Sequence, residues 1–260
     1  MASETAATAV PGVVRPVRIL IINPNATASM TESCVAMARA NLPPHIAVEG
    51  FTASPPAPSA VEGFLDNVLS SAAAVRELKP LAPGYDAFLV ACYSDHALVR
   101  MLREELDQPC MGIMEASLYA ARVVGGRFAI LATSARSRYL HEDAVRNYGL
   151  DHFCAGVGAC AIGVLELDGR PGAVAEIMMR KATELVRDKG ADCILLGCAG
   201  MTGLRAAVQE AVGEDVQVID GVLTGVYHLA GLVMSGLKTA KAGVYTSSAA
   251  YREKRGQTYL

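Results

Sequence analysis

Two apolar segments of the chain end in the same way, with a cysteine and a short polar turn before a helical pattern. The segments are FLVACYSD and ILLGCAGM, and they place Cys92 and Cys198 at matching positions 106 residues apart (198 − 92). A second pair, RILIINPN and RFAILATS, matches Arg18 with Arg127, an offset of 109 (127 − 18). Two nearly equal offsets indicate an internal duplication. The repeat restricts the chain to a fold with two similar halves.

Strand and helix patterns alternate along both halves, which is typical of parallel sheets covered by helices on both faces. The sequence therefore predicts an α/β fold of two pseudo-symmetric, Rossmann-like halves with a cleft between them. We place a flexible leader at residues 1–16 and the second half at 121–221. The first half is expected to combine 17–120 with 222–260, because the last long helical pattern should return to pack on it.

Composition excludes several classes of function. The chain has 260 residues, a net charge of −3 and no tryptophan, so nothing favours binding of nucleic acid or an anionic membrane. No apolar run reaches the roughly 20 residues that a membrane-spanning helix needs. An odd number of cysteines, 7, argues against a disulfide framework and for a reducing compartment, by default the cytosol. The expected partner is a small-molecule substrate.

The two matched cysteines point to acid–base chemistry. Ligands of open parallel sheets bind beyond the carboxyl ends of the strands, so Cys92 and Cys198 should face each other across the cleft. A following helix N-terminus is expected to lower the pKa of each thiol. One thiolate can then remove a proton from a stereocentre while the opposite thiol returns one to the other face. Such a racemase or epimerase needs no cofactor.

Other interpretations compete with this one. The remaining cysteines are more simply small buried apolar residues (Cys34, Cys110, Cys154, Cys160 and Cys193). A zinc or redox site is weaker, because the chain has no C-x-x-C motif. A dinucleotide site has no support, because no G-x-G-x-x-G motif follows a strand. A Cys–His hydrolase would need a histidine at the thiol. His96 follows Cys92 by four residues, and it is expected either at the pocket rim or on a solvated helix face.

Several ordered segments resemble one family. INPNATASMT, VACYSDHALVRMLREEL, PCMGIMEASLYAA and ILLGCAGMTGL followed by VIDGV are similar to the hydantoin racemase branch of the aspartate/glutamate racemase superfamily, and to its fungal hydantoin/allantoin racemase-like members. The similarity extends from Val17 to about Lys238. The resemblance implies two α/β halves, catalysis by Cys92 and Cys198, and deprotonation at C5 of a hydantoin or allantoin ring without cofactor or metal. It also allows a homo-oligomer, for which no patch in the sequence identifies an interface.

The resemblance further implies a set of substrate-binding residues at the strand ends: Asn25, Tyr93, Ser94, Thr133, Ser134, Gly197, Ala199 and Gly200. Bacterial hydantoin racemases usually read ACFGDPG where this chain reads ACYSDHA. The Tyr93 hydroxyl and Ser94 are expected to add polarity, which suits a ureido-bearing ring such as allantoin. Three alternatives stay open. They are an amino-acid racemase, a maleate isomerase-like or decarboxylase-like enzyme, and a non-catalytic ligand-binding protein of nitrogen metabolism.

Overall fold

The structure is a computed structural model that describes residues 15–167 and 171–260. All but the last two residues of the predicted leader, 1–16, lie outside the described residues. The first half begins with β1 (Val17–Asn23), α1 (Ala28–Asn41), β2 (Ile46–Thr52), α2 (Phe64–Leu78), β3 (Ala87–Val90), α3 (Ala97–Glu105), β4 (Cys110–Gly112) and α4 (Ile113–Val124). A 3-10 helix, Lys79–Gly84, joins α2 to β3.

The second half repeats the pattern. It contains β5 (Phe128–Ala132), α5 (Ala135–Asn147), β6 (Cys154–Ala159), α6 (Pro171–Lys189), β7 (Cys193–Leu196), α7 (Arg205–Val212), β8 (Gln217–Ile219) and α8 (Gly221–Met234), and α9 (Ala249–Lys254) follows. Further 3-10 helices span Asp151–Phe153, Val164–Glu166 and Ala199–Leu204. The first sheet has the order β2-β1-β3-β4 and the second β6-β5-β7-β8, all parallel. The predicted duplication and fold class are confirmed, because equivalent strands hold equivalent places.

The strands are apolar on both faces because each sheet lies between two cores. In β1, Ile19 and Ile21 enter a core shared by the two halves, whereas Leu20 and Ile22 enter a core on the outer face of the first sheet. β5 alternates in the same way, with Ile130 in the shared core and its neighbours in a third core. One continuous core therefore joins the halves and fixes the cleft between them.

The helices that follow β4 and β8 cross between the halves. α8 packs on β1, β3 and β4 of the first sheet, while α4 contacts β5, β7 and β8 of the second. The two helices also pack on each other, so closely that a Cβ on Gly221 would lie 2.4 Å from the Ile113 carbonyl oxygen. The contacts of α8 agree with the expected return of the last long helix to the first half. The domain limits themselves stay a prediction.

Candidate active site

Cys92 and Cys198 occupy equivalent places in the two halves. Each lies two residues beyond the carboxyl end of its strand, β3 or β7, and each residue is partly exposed. Both line one cavity between the halves, here called the inner cavity, of about 60 Å³. The structure therefore brings together the two cysteines that the repeat singled out.

A second space, the outer cavity, adjoins the inner one. It measures about 140 Å³ and shares six lining residues with the inner cavity: Val61, Tyr93, Thr133, Ser137, His141 and Val164. Polar side chains from both halves line much of the rest, including Asn67 and Asp95 of the first half and Asn147 of the second. A small ring at the cysteines could thus extend a polar substituent into the outer cavity.

Asn25 lines the inner cavity, and hydrogen bonds within and beside the Asn-Pro-Asn turn fix the orientation of its side-chain amide. Its Oδ1 accepts hydrogen bonds from the Asn23 amide at 2.9 Å and from the Thr27 backbone N–H at 2.8 Å. Its Nδ2 has only a long contact, 3.6 Å, to the Met30 sulfur. Because Oδ1 is occupied by two donors, Asn25 presents an N–H donor to a ligand.

The Tyr93 hydroxyl does not add polarity to the cavity, so that expectation is wrong. It donates to the Ser117 hydroxyl at 2.9 Å, because the Ser117 hydroxyl itself donates to the Met114 carbonyl. The tyrosine ring packs edge-on against His141 with centroids 5.2 Å apart. Tyr93 therefore contributes its ring and backbone to both cavities. Within the described part of the chain, its backbone N–H has no hydrogen-bond acceptor.

The thiol of Cys92 is less acidic than its place before a helix suggested. Burial raises its pKa to about 12, and the nearby Cys198 sulfur also raises it. The Ser94 hydroxyl, 3.4 Å from Cys92 Sγ, acts in the opposite direction. The expectation of a lowered pKa is wrong for Cys92, because loss of hydration outweighs the favourable dipole at this strand end. Near pH 7 the thiol is the resting form.

The raised pKa leads to a prediction about chemical modification. In the Cys198→Ser variant, the rate of Cys92 alkylation by iodoacetamide should rise about tenfold per pH unit between about pH 7 and pH 10. The thiolate reacts, and its fraction grows in this way below a pKa of about 12. Mass spectrometry of the Cys92 peptide measures the rate, and a short cysteine peptide is the control. A plateau below about pH 9 would contradict the raised pKa.

Thr133 and Ser134 lie at the end of β5, opposite the Cys92 turn. Thr133 is buried, lines both cavities, and its hydroxyl is 3.0 Å from that of Ser137. The Ser134 hydroxyl accepts from the Ser137 backbone N–H and caps α5, so it reaches only the outer cavity. Both hydroxyls therefore contact the first turn of α5, and both residues form part of a cavity wall.

The remaining predicted residues, Gly197, Ala199 and Gly200, flank Cys198, but not all of them line a cavity. Gly197 and Ala199 line the inner cavity, whereas Gly200 lines neither cavity. At Gly200 a Cβ would meet the Leu167 side chain at 2.8 Å. The prediction that Gly200 contacts substrate therefore has no support in the geometry, since that side of the turn packs on protein.

The predicted set lacks several residues that line the inner cavity, among them Cys34 on α1 and His141 on α5, which are both almost fully buried. From the sequence, Cys34 is expected to be a small buried apolar residue. The repeat register carried a signal for this pair, since they lie 107 residues apart (141 − 34). Burial raises the pKa of Cys34 to about 12, with smaller contributions from Asp220 and Cys198.

His96 is neither solvated nor at the pocket rim. It is 1% exposed, and Nδ1 accepts from the Leu98 backbone N–H to cap α3. Its Nε2 contacts the Ser70 hydroxyl of α2 at 3.2 Å. Burial lowers its pKa to about 4, so the ring is neutral near pH 7. His96 fixes α2 against α3 and lines neither cavity, so it cannot activate the Cys92 thiol as a hydrolase would require.

The described residues, 15–167 and 171–260, hold no group of three or more His, Cys, Asp or Glu side chains that could bind a metal ion. In the same part of the chain, no helix combines the length and apolar character that crossing a membrane demands.

A family profile described as Asp/Glu/hydantoin racemase matches residues 19–229, most of the chain. The chain belongs to this racemase family. Membership confirms the resemblance seen in the sequence and assigns the chain to an enzyme family of isomerases.

Individual racemases of the family match over nearly the whole chain. A hydantoin racemase of Pseudomonas sp. (strain NS671) is 32% identical and covers 92% of this chain and 93% of its own. The crystal structure of an allantoin racemase from Pseudomonas fluorescens superposes with a TM-score of 0.84 at 34% identity, covering 89% of this chain and 97% of that one. An uncharacterised Schizosaccharomyces pombe protein is 42% identical over 88% of this chain and 97% of its own.

Proposed function

We propose that this protein racemises allantoin or related 5-substituted hydantoins by proton transfer between C5 and the Cys92–Cys198 pair. The observation that supports this most is the shared inner cavity, to which each half contributes one cysteine from an equivalent strand end. Two acid–base groups on opposite walls match the need to remove a proton from one face of a carbon and return it to the other.

The proposed reaction balances without an added reactant. A thiolate on one wall takes the C5 proton and becomes a thiol, and the electron pair left on C5 delocalises onto the neighbouring carbonyl oxygen as an enolate. The thiol on the other wall then gives its proton to the opposite face of C5 and becomes a thiolate. The ring is released with inverted configuration, and the enzyme still carries one thiol and one thiolate.

Burial suits this chemistry although it makes the thiolate scarce. A Cys92 thiolate formed at a pKa of about 12 is a strong base, as removal of a weakly acidic carbon-bound proton requires. Developing enolate charge needs hydrogen-bond donors in a dry site. Among the described residues, the Asn25 amide and the Tyr93 backbone N–H are two donors with spare capacity beside the cysteines.

The outer cavity favours a polar substituent at C5. Asn67, Asp95 and Asn147 line it, and a ureido group offers both N–H donors and a carbonyl acceptor to such side chains. An aryl substituent could form none of these hydrogen bonds. The similarity to allantoin racemases supports the same choice.

Substrate preference tests this assignment. We expect kcat/KM for allantoin to exceed that for 5-benzylhydantoin by about tenfold or more, because an aryl ring cannot make the hydrogen bonds that the outer cavity offers to a ureido group. Asn147→Leu should narrow this ratio, since its side chain has only a 3.5 Å contact to Asp95 in the protein itself. Polarimetry and chiral chromatography measure both rates after subtraction of spontaneous racemisation. Equal turnover of the two rings would contradict the proposed substrate class.

A further inference from the structure

Two hydrogen bonds cross the cleft beside the catalytic cysteines. His141 of the second half donates from Nε2 to the carbonyl oxygen of Tyr93, the residue after Cys92, at 3.0 Å. Cys34 of the first half donates from Sγ to the carbonyl oxygen of Ala199, the residue after Cys198, at 3.9 Å. Each cysteine turn is therefore held by the first helix of the opposite half.

The two interactions are related by the internal repeat. The donors Cys34 and His141 are 107 residues apart, and the acceptors Tyr93 and Ala199 are 106 apart (199 − 93). These offsets match the 106 between the catalytic cysteines. One contact has thus been duplicated with the halves, although an imidazole provides the donor on one side and a thiol on the other.

Both side chains keep a proton on the donating atom, which is Nε2 in His141 and Sγ in Cys34. A carbonyl oxygen only accepts, so His141 must carry its proton on Nε2, and its Nδ1 has no partner within the described residues. Burial lowers the pKa of His141 to about 4, so the ring is neutral near pH 7. Cys34, with its pKa raised to about 12, remains a thiol. Near pH 7 both side chains therefore keep the proton that they donate to the opposite turn.

We infer that His141 and Cys34 are positioning residues, each holding the turn of the opposite half's catalytic cysteine at its working distance from C5. The inference rests on the proposed racemase function. The Cys92 turn is held more strongly than the Cys198 turn, because an N–H donor at 3.0 Å forms a stronger hydrogen bond than an S–H donor at 3.9 Å. Removing His141 should loosen the Cys92 wall, and removing Cys34 the Cys198 wall.

Loosening one wall has a stereochemical signature. When one cysteine has removed the C5 proton, the enolate receives a proton either from the same cysteine, with retention, or from the opposite one, with inversion. If the opposite wall is misplaced, the enolate lives longer, and the first thiol has time to exchange with D₂O. Deuterium then appears in the starting enantiomer. This should happen for only one enantiomer in each variant.

The experiment follows single enantiomers of allantoin in D₂O with His141→Leu and Cys34→Ala. We expect His141→Leu to lower kcat by roughly 10- to 100-fold and to raise the ratio of retained to inverted deuterated product for one enantiomer. Cys34→Ala should lower kcat by less than about tenfold and raise that ratio for the other enantiomer. Chiral chromatography with mass spectrometry measures both products.

Matched variants separate positioning from a general loss of structure. His141→Gln and Cys34→Ser each keep a donor and should restore most of the wild-type ratio. His228→Leu and Cys110→Ala remove a half-buried histidine and a buried thiol that line neither cavity, and both should leave the ratio unchanged.

Several outcomes would overturn the inference. They are an equal change for both enantiomers, the same change in His228→Leu, or an unchanged ratio in both His141→Leu and Cys34→Ala of an enzyme that racemises allantoin. If His141→Leu does not fold, the Cys34→Ala and His141→Gln ratios decide. A wild-type protein that exchanges no hydantoin proton would overturn the racemase proposal and this inference with it.

Discussion

Replacing either Cys92 or Cys198 by serine should lower kcat/KM for racemisation by about 10³-fold or more. A serine hydroxyl is a far weaker acid than a thiol, so it can neither form the base nor return the proton at a useful rate. Both variants should fold normally, because each cysteine lies in a cavity wall and oxygen is smaller than sulfur. Steady-state polarimetry with allantoin measures the loss, and thermal unfolding checks the fold.

The other thiols provide the controls. Cys110→Ala removes a buried thiol that does not line the cavity and should retain wild-type activity. Cys34→Ala removes the third cysteine of the inner cavity and should lose less than about tenfold, because a weak S–H···O contact is lost and no acid–base group. Full loss in Cys92→Ser with an active Cys198→Ser would instead indicate a one-cysteine enzyme of the same superfamily.

Gly197→Ala should destabilise the protein by about 3 kcal/mol or more. A Cβ at this position would lie 2.2 Å from the Leu131 carbonyl oxygen and 3.0 Å from Ile130 Cγ2. The oxygen belongs to the backbone of the neighbouring strand β5, and it also accepts the Gly197 N–H at 2.9 Å, so it cannot move aside without breaking the sheet. Because Cys198 is the next residue, activity should fall as well.

Chemical denaturation of Gly197→Ala against Gly203→Ala tests this requirement. Gly203 lies in the 3-10 helix that follows Cys198, and nothing is within 4 Å of a Cβ placed there. We expect Gly203→Ala to change the free energy of unfolding by less than about 1 kcal/mol. A similarly small change in Gly197→Ala would mean that β5 and β7 can separate at this point.

The repeat predicted the two-half fold and the meeting of Cys92 and Cys198 in one cavity, but the sequence of β6 gives no strand signal. β6, with the sequence CAGVGA, contains two glycines and has low β-propensity, and the register against β5 shifts at its start. It forms a strand because it pairs with β5 at the edge of the second sheet, a long-range contact that its local sequence does not encode.

The errors at the site have a common physical origin. The acidity of Cys92 was judged from its strand end alone, whereas burial between the two halves decides it. The directions of the Tyr93 hydroxyl and of His96 depend on α4 and α2, which pack beside them from elsewhere in the chain. Strand-end chemistry is local and readable in the sequence, but contacts with helices distant along the chain are not.

The most direct test of the racemase proposal is proton exchange at C5 of allantoin in D₂O, followed by NMR together with optical rotation. A two-cysteine racemase should incorporate deuterium as rotation is lost, with the inverted enantiomer labelled first, at rates far above the spontaneous reaction. Cys92→Ser and Cys198→Ser should each abolish the loss of rotation. Tight binding of allantoin and other hydantoins with no deuterium incorporation above background would contradict the proposal and indicate a ligand-binding protein.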